Sequence, residues 1–190
     1  MTQSPPPIRT RTRAGTFTGT RPRPNGFTLV ELLVSLVVLA LLLTLGVPAF
    51  TGLLRQWRLD AATDAFAGDM RLARSTATRV SRNVEVCVQN GSGGCDTQTN
   101  WARGWLVFID LNADHQLDAG DTVVAQRGPQ SGIASMTHSG PAANRLSFRP
   151  NGTLNSSKGL TMRLLAAGAA GEGRTVTLNA IGRSYVSQTP

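Results

Sequence analysis

Acidic residues are missing from the start of this 190-residue chain: Met1 to Gly26 holds five arginines and no acid. Charge is almost missing from the stretch that follows, where Glu31 is the one ionised residue between Phe27 and Phe50. Lysine is nearly absent too, with Lys158 alone among 19 basic residues. The only cysteines, Cys87 and Cys95, lie eight residues apart and His115 and His138 form no ligand motif, so no metal site is expected at the thiols. Two isolated histidines give no nucleophilic triad a frame, and no glycine-rich loop ends in a P-loop lysine. An enzyme is therefore not expected. What is present is an apolar content of 41%, enough for a packed core. The net charge of +8 is partly a leader property. Taking the five leader arginines from 19 basic residues leaves 14 against 11 acids, a balance of +3.

The apolar run Phe27 to Phe50 would form a helix roughly 36 Å long, enough to cross a hydrocarbon core of about 30 Å with some tilt. The arginines before it keep the N-terminus cytoplasmic and send the remainder outward by the positive-inside rule. A carboxylate one turn into such a run costs about 2.5–3.5 kcal/mol at a membrane centre and less near an interface, so Glu31 asks for a function. Val47-Pro48-Ala49 has the small residues of a secretory cleavage site, but the core before it is too long for a signal peptide. An uncleaved anchor accounts for the length and leaves Gly26-Phe27 and Glu31 unexplained.

Gly26-Phe27-Thr28-Leu29-Val30-Glu31-Leu32-Leu33 resembles the processing site of type IV prepilins and type II secretion pseudopilins. The resemblance implies cleavage between Gly26 and Phe27 by a prepilin peptidase, N-methylation of Phe27, and a filament-assembly role for Glu31. The leader is longer than the short basic leaders common in that family.

Gly46 and Pro48 predict a kink or local melting of the helix, since proline lacks the N–H for one backbone bond and crowds the Thr44 carbonyl. Beyond them Leu54, Trp57, Ala61, Ala65 and Leu72 fall at helical spacing, with Phe66 and Ala73 beside them. Asp60, Asp64, Arg71 and Arg74 lie on the other face, and Arg58 and Asp69 intrude near the edge of the stripe. From Asn83 the period becomes two, with Val84, Val86 and Val88 alternating with Glu85 and Cys87 as in a half-buried strand. Further strands are expected over 105–109, 122–125, 145–148, 160–165, 175–178 and 183–186, separated by Gly, Pro and Asn. The fold class expected is α+β, a long N-terminal helix packed on antiparallel sheet. Its parts are a basic leader (1–26), a transmembrane and assembly helix (27–50), an amphipathic continuation (51–82) and a β-rich periplasmic domain (83–190). Arg71-Leu72-Ala73-Arg74-Ser75 before a strand, and Trp101 followed by Gly104 to Asp110 after a cysteine pair, resemble the GspH/FimT branch of minor pilins.

Cys87 and Cys95 flank a glycine-rich loop in a compartment where disulfides persist, so a bond between them is expected, with two free thiols as the alternative. Asp110, Asn112, Asp114, Asp118 and Asp121 recur at the first, third, fifth, ninth and twelfth places of a calcium loop. Against calcium, His115 stands where an EF-hand has its turn glycine, and Asp121 replaces a longer glutamate. The other reading is a polar hairpin whose Asp and Asn side chains bond the backbone. No other cofactor is expected.

The function expected is that of a minor pilin or minor pseudopilin, resting in the bacterial inner membrane and entering a filament with other pilins. A second function is DNA binding for uptake, as in FimT-like proteins, whose Gly-Arg-x-Arg motif is half present here. Gly182 and Arg183 match, while Tyr185 stands at the second arginine. Arg163, Arg174 and Arg183 would form a basic face with Tyr185 stacking on a base, or an ordinary solvated surface.

Overall fold

The computed structural model describes residues 26–138, 140, 143–168 and 171–188, with the backbone alone for Leu45, Pro48, Ala49 and Gln188. The basic leader lies outside the described residues as far as Asn25. Among the described residues one long helix, α1 (Leu29–Val80), precedes eight strands: β1 (Asn83–Val88), β2 (Trp105–Asp110), β3 (Thr122–Arg127), β4 (Ile133–His138), β5 (Arg145–Phe148), β6 (Leu160–Ala166), β7 (Gly173–Leu178) and β8 (Ser184–Gln188). The chain divides into two compact units, Met1–Thr44 and Leu45–Pro190. The helix assignment continues through Gly46 and Pro48, so the expected melting does not occur. A proline removes one backbone bond at a cost of about 3 kcal/mol, a local loss that leaves the bonds on either side in place.

In the larger unit two antiparallel four-stranded sheets form, ordered β3-β2-β1-β5 and β4-β6-β7-β8. Leu59, Ala62, Phe66, Met70, Ala73 and Ala77 make the buried stripe of α1, three or four residues apart. The stripe predicted from the sequence is rotated from this one and shares Phe66 and Ala73 with it. Ala61 is exposed, and so are Trp57 and Leu72. The cause is the set of polar residues on the true face, Thr63, Asp69 and Thr76, of which Thr63 and Asp69 are buried with their bonds made. Thr63 Oγ1 donates to the Leu59 carbonyl at 2.6 Å. Asp69 accepts from the Trp105 indole N–H at 2.9 Å and from Arg127 at 2.7 and 3.1 Å. Phe66 meets Trp101 and Trp105 edge-on, with ring centroids 5.8 and 5.5 Å apart.

The alternation of β1 is as expected, but the strand is buried on both faces. Val84, Val86 and Val88 join the main core, while Cys87 packs with Leu106 and Phe108 on the opposite face, covered by Leu117. The cover comes from the connection between β2 and β3, which no periodicity within β1 could announce. Strand β4 was not anticipated. Its inward residues Ile133, Met136 and His138 do not keep a period of two, because a bulge between Ile133 and Ser135 shifts the register.

Candidate functional site

In the N-terminal unit every side chain from 26 to 44 is exposed, among them Phe27 at 83% and Leu29 at 73%. Thr28 caps the helix: its Oγ1 accepts the Glu31 amide at 3.2 Å, and its carbonyl accepts the Leu32 amide at 3.1 Å. Thr28-x-x-Glu31 is the capping-box spelling, a start signal the sequence reading passed over. The acid also lies in the first turn, where the helix dipole favours negative charge. Ser35 Oγ donates to the Glu31 carbonyl at 2.7 Å. Among the described residues no helix is long and apolar enough to cross a membrane. The apolar side chains described without interruption, from 29 to 44, amount to roughly 24 Å of helix.

Cys87 and Cys95 form a disulfide with Cα atoms 5.6 Å apart, as expected. The loop they close is shaped by Asn90, whose Oδ1 accepts the amides of Ser92 and Gly94 at 2.8 and 3.1 Å.

The acidic connection between β2 and β3 is a nest of side-chain-to-backbone bonds. Asp110 accepts the amides of Ala113 and His115 at 2.7 and 3.0 Å. Asp114 accepts from Gln116, Asp118 from Gly120, and Asp121 from both Leu111 and Asp118. The Nδ2 of Asn112 donates to Asp114 and Asp118 at 3.0 and 2.9 Å, in the middle of the loop. His115 adopts φ +65°, so it makes the sharp turn that the sequence reading reserved for glycine.

The loop also lays His115 over the sheet. Cross-strand register puts Glu85 opposite Phe108 and Ser147, and Asn83 opposite Asp110, so both carboxylates share the outer face. His115 Nδ1 lies 2.8 Å from Glu85 Oε1 and 3.9 Å from Asp110 Oδ2. Glu85 is buried, and burial pushes its pKa above the ordinary carboxylate value; hydrogen bonding and charge from Ser147 and His115 pull the other way. Ser147 stands opposite Glu85 in register, but neither its Oγ nor Glu85 Oε2 makes a hydrogen bond of good geometry. Sequence reasoning missed this cluster. The signal was a glutamate between the valines of β1.

The residues proposed for DNA do not converge. Arg163 pairs in register with Thr175 and Tyr185 with Thr177, which puts those two side chains on the outer face of the second sheet. Arg174 stands opposite Leu164 on the other face, where its Nε bonds Asp60 of α1 at 2.8 Å. Arg183 lies just before β8 and is exposed. Gly182 has a packing reason of its own. At φ +77°, a Cβ there would sit 2.4 Å from the Gly152 carbonyl oxygen, which accepts from Arg74 Nε at 3.2 Å.

Comparison with known proteins agrees with this geometry. Residues 62–182 match the family described as Type II transport protein GspH, and residues 21–47 match the prokaryotic N-terminal methylation motif. Two Thermus thermophilus proteins are similar. The pilin-like protein PilA1 is 36% identical over 98 residues, which span 51% of this chain and 55% of that protein. The type IV narrow pilus major component PilA5 is 34% identical over 119 residues, 60% of this chain and 97% of that one. The type IV minor pilin FimU of Pseudomonas aeruginosa shares the fold, with a TM-score of 0.57 at 18% identity over 70% of this chain and 91% of FimU. Such families supply structural subunits, and membership implies assembly with other pilins or pseudopilins. One helix at the N-terminus, two antiparallel sheets behind it and a family match across most of the larger unit thus converge, and the chain belongs to the GspH family of type IV pilin-like minor pilins and pseudopilins.

Proposed function

We propose that the chain is a filament subunit cut after Gly26 by a prepilin peptidase and methylated on Phe27. Its helix is held in the inner membrane before it joins neighbouring helices, and the larger unit lies in the periplasm. The observation that carries this is the N-terminal segment of α1, whose apolar side chains are exposed on every side. A helix apolar all round is stable in lipid or among other helices, not in water. The sequence extends the apolar run from Thr44 to Phe50, which supports a length sufficient to span. The methylation-motif match over 21–47 supports the processing step.

Glu31 then has two roles divided between its atoms. Its amide belongs to the Thr28 cap, and its carboxylate is left to meet the free amine of Phe27 on an adjacent subunit, which offsets the loss of water.

Mass spectrometry of the protein from a host with a prepilin peptidase tests the first step. A mature chain beginning at methylated Phe27 is expected, and Gly26→Val should leave the full leader in place without loss of membrane insertion. A terminus at Phe50 would overturn the reading. Glu31→Ala should still insert yet enter filaments at least tenfold less; entry at the normal level would remove Glu31 from assembly.

A further inference from the structure

We infer that Glu85, Asp110 and His115 bind one divalent transition-metal ion of the zinc class, beneath the β2–β3 connection on the outer face of the first sheet. Their ligand atoms all lie within 4.8 Å of one another. Zinc bonds of about 2.0–2.1 Å in a tetrahedral arrangement hold ligand atoms about 3.3 Å apart. The separations from His115 Nδ1, 2.8 Å to Glu85 and 3.9 Å to Asp110, fall on either side of that figure.

Glu85 supplies an independent reason. Its side chain is 1% exposed, it points into this cluster, and its Oε2 has no hydrogen-bond partner. A buried carboxylate oxygen left bare is costly, and a cation between the three side chains would satisfy it.

The donor set selects the class of ion. Calcium takes six to eight oxygens, whereas one imidazole and two carboxylates suit zinc and its neighbours. Further positions would open on a cavity of about 220 Å³ that His138 and Arg145 also line, which leaves room for water. The ligands are braced from behind. Asp110 is held by the amides of Ala113 and His115, and Arg145 donates to the His115 carbonyl. Of the acidic loop's carboxylates this site uses Asp110 alone, and the others bond within the loop.

The test uses the full chain in detergent, disulfide intact, stripped with EDTA and titrated with Zn²⁺ by calorimetry at pH 7.5. One Zn²⁺ per chain at micromolar concentration is expected, unaffected by millimolar Ca²⁺. His115→Ala and Glu85→Gln should each weaken it at least tenfold, while Asp118→Asn leaves it unchanged. Circular dichroism checks that each variant is folded. Co²⁺ on the unsubstituted chain gives a second reading, an intense visible spectrum bleached by Zn²⁺. Absence of stoichiometric Zn²⁺ binding, or binding indifferent to His115→Ala, would overturn the proposal. So would loss of Zn²⁺ in Asp118→Asn, or a pale Co²⁺ spectrum that Ca²⁺ displaces, either of which would put the ion in the acidic loop.

Discussion

Two carboxylates are buried in the larger unit to nearly the same depth, Asp69 at 3% and Glu85 at 1%, and they are treated in opposite ways. Asp69 receives three N–H donors, one from Trp105 and two from Arg127. The bonded carboxylate raises the pKa of Arg127. Glu85 has one bonded oxygen and one bare, and burial raises its own pKa. The first acid is a fastener between helix and sheet. The second is held ready for something else. Equal burial therefore says little about role until the partners are counted.

The contrast can be broken at its stronger end first. Asp69→Ala leaves the Trp105 indole N–H buried and unbonded and frees Arg127, which is 48% exposed in its side chain and can rehydrate. A loss of about 2–3 kcal/mol is expected, read by urea unfolding of the full chain in detergent. His115→Ala, measured in EDTA, removes the one hydrogen bond to Glu85 and should cost about 1–2 kcal/mol at pH 7.5. Placed in a Glu85→Gln background, the same substitution should cost measurably less, because the two residues act on each other. Equal costs in both backgrounds would mean that His115 acts through the loop alone.

Glu85→Gln is the smallest and the most diagnostic, within about 1 kcal/mol at pH 7.5. The folded pKa of Glu85 lies above its ordinary value of 4.5, so the folded state holds this proton more tightly than the unfolded one. Its contribution is most favourable with the acid protonated and declines as pH rises from about 4.5 through the raised folded value. In EDTA the variant should therefore gain on the parent chain between pH 4.5 and 7.5. A variant that instead lost ground to the parent over this window would mean that folding favours the ionised form of Glu85.

The architecture was legible because it depends on periods and punctuation. The change to alternation at Asn83 marks the first strand, and the glycine, proline and asparagine breaks mark most of the rest. What stayed hidden depends on partners distant in sequence. Asp69 looked like an intruder in the helix stripe because its donors lie 36 and 58 residues away. Glu85 looked like an outward residue because its cover comes from His115, 30 residues on. Strand β4 escaped because a bulge breaks its alternation. The Thr28 cap is a local signal, spelled within four residues by Thr28 and Glu31.

Gly182 carries a lesson for pattern searches. Its lack of a side chain is demanded by the Gly152 carbonyl, and Arg74 closes the same corner from the helix. A motif that scores Gly182 beside Arg183 thus mixes two kinds of information, one letter fixed by the scaffold and one on an exposed surface. Any pilin with this corner would register half of the nucleic-acid signature whether or not it ever meets a polynucleotide. The discriminating letters are the exposed ones, and here position 185 is Tyr185 rather than arginine.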